Sequence, residues 1–183
     1  MELQERLEEC LSDADIKRIL PGVDIVLYED LRRYKDLKQL IPKIFGAVIL
    51  FVALESRQQG HWVAILREDN EFELFDPYGN RPDRWLAWID KQQRKKNGEA
   101  IPYLSYLFNK GLKQGYSLSF NKIKYQSTRT GVNTCGRHVC NRIKFMLLHQ
   151  TISEDAYLSY MKRLKRDYEL SYDLILCKLI PIN

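Results

Sequence analysis

The order of elements along this sequence predicts an α+β fold. Three observations lead there: apolar residues recur at helical spacing near both ends, an apolar run and two short segments in the middle read as strands, and helical spacing resumes at Cys135. At 183 residues the chain fits one domain, long enough to bury a core without disulfide staples. That domain divides into an N-terminal helical segment (1–43), a central core of about 44–150 and C-terminal helices (151–183).

Leu3, Leu7, Cys10 and Leu11 make a helical stripe over Glu2 to Leu11, and Ser12 or Asp13 can cap a second short helix ending before Pro21-Gly22. The segment to Leu40 continues as helix or loop. IFGAVILFVAL, Ile44 to Leu54, is too short to span a bilayer, which takes about 20 residues, and reads as a buried strand. After the polar loop ESRQQG, the segments HWVAILR and EFELFDPYG flank Glu68-Asp69-Asn70 as a hairpin. Asp83 can cap a helix through Trp85, Trp88 and Ile89, and KQQRKKNGE reads as a flexible linker. Ile101 to Leu112 is helical, and SFNKIKYQS (Ser119 to Ser127) alternates as a strand. Beyond the TRTGVNT loop, Val139, Ile143, Met146 and Leu147 mark a helix from Cys135 to about Gln150, with Thr134 or Asn133 placed to cap it. Helices at Glu154 to Leu164, behind Ser153, and at Ser171 to Leu179, before Pro181, complete the chain.

Hydrophobic residues make up 45% and charged residues 29%, a composition that excludes disordered and membrane-spanning classes. The acidic, amphipathic start MELQERLEEC lacks the pattern of a secretory signal, which places the chain inside a cell. The four cysteines, Cys10, Cys135, Cys140 and Cys177, form no CxxC pair and read as reduced thiols. Net charge is +5, with basic clusters at Arg32-Arg33, Arg94-Lys95-Lys96 and Lys162 to Arg166 that can follow phosphates or meet an acidic partner.

The run NTCGRHVCNRI puts a thiol at the start of a helix, where the positive end of the helix dipole favours thiolate. Gly136 beside Cys135 allows a substrate backbone to approach, and the Cys135 N–H is free to face a developing oxyanion. Gln126, nine residues earlier, offers an uncharged amide as the second donor. Three histidines can supply a base; His138 points along the helix wall and His149 lies further down it, which leaves His61, at the edge of a strand, as the stronger candidate. The hairpin supplies its partner. A turn centred between Glu68 and Asp69 puts Asp76 opposite His61, and one centred between Asp69 and Asn70 puts it diagonally adjacent; both leave the pair on one face. Singly, these residues also read as a buried thiol, a strand-edge histidine, a turn aspartate and a surface amide. Together, in the order His, Asp, Gln, Cys, they specify nucleophile, base, orienter and oxyanion donor.

The motifs GHWVAI (60–65), LFDPYG (74–79), YQS (125–127) and NTCGRHV (133–139) resemble the adenain-like branch of the ubiquitin-like-protein protease superfamily. That superfamily includes adenovirus maturation proteases, similar enzymes of large DNA viruses and virophages, and SUMO proteases. The resemblance covers roughly residues 46–147. It implies a papain-like α+β fold with a central mixed sheet and the nucleophile on a packed helix. It makes Cys135 the nucleophile, His61 the base and acid, Asp76 the orienter and Gln126 an oxyanion donor, with Trp62 and Gly136 at the substrate cleft. Thr134, where SUMO proteases typically carry Asp, and the long TRTGVN loop depart from the SUMO-protease pattern, while the small size, the absence of a targeting extension and the CGRHVC ending look closer to the viral maturation type.

The implied function is a monomeric thiol endopeptidase that cuts capsid or other structural precursors at small residues of the Gly-X type. It requires no metal or cofactor, takes stimulation from DNA or a peptide, and works in host cytoplasm or viral factory, or packaged in the virion. The alternatives on the same triad are a deconjugating protease for ubiquitin- or SUMO-like modifiers and an effector acetyltransferase. A non-enzymatic rival uses Cys135, His138 and Cys140 for zinc and the basic clusters for nucleic acid, although C-x2-H-x-C matches no common zinc pattern.

Overall fold

The computed structural model describes residues 3–56 and 59–182. Five strands form one sheet in chain order: β1 Asp24–Leu27, β2 Phe45–Ser56, β3 Gln59–Glu68, β4 Glu71–Phe75 and β5 Ser117–Phe120. The central three are antiparallel, and β1 and β5 join the edges in parallel, so the sheet is mixed. The helices are α1 Asp13–Ile19, α2 Leu37–Leu40, α3 Lys91–Asn97, α4 Tyr103–Lys113, α5 Cys135–His149, α6 Glu154–Tyr168 and α7 Tyr172–Leu179. None is long and apolar enough to cross a membrane.

Both faces of the sheet are covered, which explains an apolar run in β2 with no polar alternation. On one face Ile49, Phe51, Ala64 and Leu66 meet Val139, Ile143, Tyr157 and Ile175 of α5, α6 and α7. On the other, Val48, Leu50, Val63 and Ile65 meet Leu31, Leu37, Trp85 and Leu107. A buried ion pair fixes α5 against the sheet: Arg142 Nη2 donates to Glu73 Oε1 at 3.1 Å, to Glu73 Oε2 at 3.0 Å and to the Ile152 carbonyl at 2.6 Å. Both charges are out of water, so the pair serves register more than net stability.

Several elements differ from expectation. The segment Glu2 to Leu11 makes only a 3₁₀ turn at Glu5–Leu7, because its backbone is taken up by tertiary partners, and Glu2 lies outside the described residues. Ser12 does cap α1, in a reciprocal box with Asp15. Edge strand β1 occupies a stretch expected to be helix or loop. Within the loop expected at ESRQQG, both flanking strands run further, and Arg57 and Gln58 lie outside the described residues. Asp83 does not cap the segment that follows it, a 3₁₀ turn at Arg84–Trp88; at φ 63° its carboxylate accepts hydrogen bonds from Tyr28 Oη (2.6 Å) and from Ser105 N (2.7 Å) in the first turn of α4. KQQRKKN is helix α3, capped by Asp90 and closed by Gly98 at φ 74°. SFNKIKYQS pairs only as far as Phe120. The basic clusters are spread over the molecule: Arg32-Arg33 follows Leu31 on one face of the sheet, and Lys162 to Arg166 belongs to α6 on the other.

Beyond the end of β1, two side chains complete the edge of β2. Asn97 Nδ2 donates to the Ala53 carbonyl at 2.9 Å, and Ala53 N donates to Glu99 Oε1 at 2.8 Å. Burial pushes the Glu99 carboxyl up to about 7, with the Glu29 charge adding to it against the hydrogen bonds from Ala53 and Asn97. The folded value lies above that of an unfolded glutamate, near 4.3, so this group's stabilising contribution is complete below about pH 4.3 and is lost as pH rises through about 7. Glu99→Gln keeps the acceptor and removes the titration. Thermal melts should therefore show the variant gaining on the wild type between pH 5 and pH 8; parallel melts at both pH values would contradict this.

Candidate active site

His61 stands at the start of β3, opposite Val52 of β2, and is 2% exposed. Its predecessor has to be glycine: a Cβ on Gly60 would lie 2.2 Å from the Val52 carbonyl oxygen and 2.5 Å from the Phe51 ring. The β3–β4 turn places Glu68 opposite Glu71, with Asp69 at φ 51°, which is the diagonal register for His61 and Asp76. Asp76 follows β4 directly. Its Oδ1 lies 2.9 Å from His61 Nε2, which leaves Nδ1 as the nitrogen able to face a thiol. Asp76 is fully buried and held on every side: Asn121 bonds its N–H (2.8 Å) and carbonyl (2.7 Å), and Oδ1 and Oδ2 accept from Tyr78 N (2.8 Å) and Asn80 Nδ2 (3.0 Å). Asn121 thus continues the β4–β5 pairing with its side chain.

Cys135 opens α5, is 9% exposed, and lines the same lobe of the cleft as His61, close enough for its thiol to act on the imidazole. Burial alone would lower the basicity of His61. The Asp76 carboxylate outweighs it through charge and hydrogen bond, and the thiol adds to the effect, raising the imidazole to about 10. The N-terminus of α5 has no side-chain cap. Thr134 Oγ1 instead donates to Asp173 Oδ1 (2.5 Å), and Asn133 Nδ2 to the Glu8 carbonyl (2.9 Å). First-turn N–H groups beside the sulfur are therefore uncapped and can take an anion.

Gly136 does not open the cleft as expected. It is buried, and an added Cβ would meet Leu11 Cβ at 2.9 Å and Trp62 Cδ1 at 3.2 Å, so close packing under the cleft demands glycine there. Trp62 packs on Phe51 with ring centroids 4.6 Å apart and donates from Nε1 to the Leu11 carbonyl at 3.1 Å. It lines the cleft together with Cys135.

Gln126 reaches the site from a loop and not from a strand end. The N–H groups of Tyr125 and Gln126 both donate to the Pro77 carbonyl, at 2.9 and 3.0 Å, folding this loop onto the turn after Asp76. Gln126 Nε2 donates to Val132 O at 3.0 Å and to Tyr78 Oη at 3.1 Å. Two residues not anticipated from the sequence join it. The Tyr78 ring stacks on His61 (5.0 Å, 20°), and Trp88 meets both rings edge-on at 5.9 and 5.8 Å. The only sequence signal for Tyr78 was its place in a turn.

A third unanticipated residue is Asp173 of α7. It accepts from His138 Nε2 (2.9 Å), Thr134 Oγ1 and Ser127 N (3.0 Å), binding the residues that adjoin Cys135 and Gln126. Burial would raise this carboxyl, but the hydrogen bond and charge of His138 hold it below its ordinary value. The Nε2 of His138 is thereby engaged by Asp173 and not by Cys135. Cys140 is fully buried, its thiol pushed up to about 12 by burial, and Cys177 is a buried residue of α7. The zinc set Cys135, His138 and Cys140 is not brought together: among the described residues no group of three or more His, Cys, Asp or Glu is placed to hold a metal ion.

The cleft has two lobes, about 590 and 540 Å³, that share Cys10, Leu54, Gly60, Asn133 and Cys135. Leu11, Ile25, Phe51 and Trp62 line one lobe; His61, Tyr78, Arg84, Trp88, Lys124 and Gln126 line the other. Cys135 thus lies where the two lobes meet.

No protein-family model matches the sequence. The chain is 34% identical over 168 residues to uncharacterized protein V9 of Sputnik virophage, an alignment covering 88% of this chain and 92% of that protein. The chain therefore belongs to the same family as the Sputnik virophage protein V9.

Proposed function

We propose that the protein is a cysteine endopeptidase, an adenain-like member of the papain-like fold that processes viral structural precursors. The observation carrying this reading is the buried His61–Asp76 pair at 2.9 Å, in one lobe of the cleft with a thiol on a helix N-terminus. A relative from a virophage supports a viral setting, in host cytoplasm or viral factory or within the particle.

In the mechanism, His61 takes the Cys135 proton and the thiolate attacks the scissile carbonyl carbon. The C–S bond forms as the carbonyl π pair moves to oxygen, where the Cys135 N–H and a side-chain donor stabilise it. Collapse breaks the C–N bond, and the imidazolium protonates the departing amine. Water, deprotonated by His61, then attacks the thioester and releases the carboxylic acid and the free thiol. Asp76 keeps the proton-bearing Nε2 directed at itself throughout.

The test is to incubate the purified protein with a proteome-derived peptide library, with and without DNA, before and after alkylation by iodoacetamide. The expected result is a defined set of cuts following small residues that disappears once Cys135 is alkylated. No cuts, or cuts that persist when Cys135 is fully modified, would overturn the reading.

A further inference from the structure

The arrangement around Gln126 redistributes the roles at the oxyanion site. Its amide has two N–H protons, and both have acceptors: Val132 O at 3.0 Å and Tyr78 Oη at 3.1 Å. Its remaining polar atom, Oε1, is an acceptor and cannot stabilise negative charge. Tyr78 Oη, by contrast, receives a hydrogen bond from Gln126 and still has a proton to give, for which no acceptor is recorded among the described residues. The phenol is positioned at three points: its backbone N–H on Asp76 Oδ1, its ring on His61, and its oxygen on Gln126. It lines the same lobe as His61 and Cys135.

We propose that Tyr78 is a catalytic residue, donating its phenolic O–H to the oxyanion alongside the Cys135 N–H, and that Gln126 acts through it as a positioning residue. The inference rests on the peptidase reading above. Burial, with the neighbouring Cys135 and Asp76 charges, pushes the phenol up to about 12, so the proton is present throughout the neutral range. A hydrogen bond received from Gln126 polarises the O–H and strengthens it as a donor. The turn Asp76-Pro77-Tyr78-Gly79 then places the orienter and the donor within three residues of each other, with Gly79 at φ 71° bending the chain back.

Tyr78→Phe separates this from rival roles, since it deletes one oxygen and keeps the ring stack. Turnover is measured on the library peptide the wild type cuts best, and iodoacetamide alkylation of Cys135 is followed by mass spectrometry. Alkylation by SN2 displacement of iodide uses the thiolate and its histidine but creates no oxyanion. Loss of one oxyanion donor predicts a fall in kcat of about 10²–10³-fold, KM within about threefold and alkylation within about twofold, with Gln126→Ala losing less than Tyr78→Phe. Near wild-type kcat in Tyr78→Phe, or a larger loss in Gln126→Ala, returns the donor role to the amide and overturns the proposal. A parallel fall in kcat and alkylation also overturns it, because the phenol would then act on His61. If the wild type cuts nothing, the peptidase reading fails and takes the inference with it; an active wild type with an unaffected variant defeats the inference alone.

Discussion

Cys135→Ala lowers peptide turnover by about 10⁵-fold or more and leaves the fold intact; this is the largest effect the structure predicts. Removing the sulfur removes the thiol beside His61 on which the acyl intermediate would form, while His61, Asp76 and the uncapped helix end stay in place. Such a remnant can bind a substrate and polarise its carbonyl, but His61 would have to activate water directly. Stability should hardly change. The start of α5 is secured by Thr134 on Asp173 and by the Asn133 N–H on the Leu7 carbonyl at 2.7 Å, and the thiol supports neither contact. The check is turnover of the best-cut library peptide beside a far-UV thermal melt. Residual activity above about a hundredth of wild type in a cleanly folded variant would place the nucleophile elsewhere, since it exceeds what loss of a catalytic cysteine leaves.

Asp76→Asn should lower kcat/KM by about 10²–10⁴-fold, the second largest effect. A carboxylate is an acceptor only, and it enforces the tautomer with hydrogen on Nε2; an amide can present an N–H to the same nitrogen and hold the imidazole the wrong way round. The pH profile should change as well. With the carboxylate gone, burial remains and pulls His61 downward, away from the value of about 10 that Asp76 sustains. Protonation of the departing amine needs the imidazolium, so the alkaline limb of the variant's rate profile should move to lower pH than that of the wild type. An unmoved alkaline limb would mean that Asp76 positions the turn and has no electrostatic role.

How far the sequence carried the argument depended on where the determining contacts lie. The buried strands were legible because β2 and β3 are covered on both sides, and no loop composition imitates Ile44 to Leu54. The register of His61 and Asp76 was legible because the turn is local: Glu68 to Glu71 sets the parity of everything beyond it. The segment Glu2 to Leu11 failed for the opposite reason. Its apolar spacing suits a helix, but Asn133, Trp62 and Arg137 bond the backbone of Leu7, Glu8, Glu9 and Leu11, and these distant partners outweigh local preference. KQQRKKN looks like linker by composition because its one buried side chain, Asn97, reaches β2, a contact no local pattern encodes. Asp173 is the extreme case. It stands 39 residues from Thr134, and its sequence neighbourhood shows only an ordinary helix start.

One side chain on the helix that Cys135 opens touches segments near both ends of the sequence. Arg137, fully buried, donates to the Glu9 carbonyl at 2.7 Å, to the Glu9 carboxylate at 3.0 Å and to the Ile180 carbonyl at 3.1 Å. Trimming either terminus to ease crystallisation or expression would consequently strip partners from a guanidinium two positions beyond Cys135, in a place water cannot reach to replace them. For anyone engineering this protein, the segments around Glu9 and Ile180 are part of the masonry that holds the helix of Cys135.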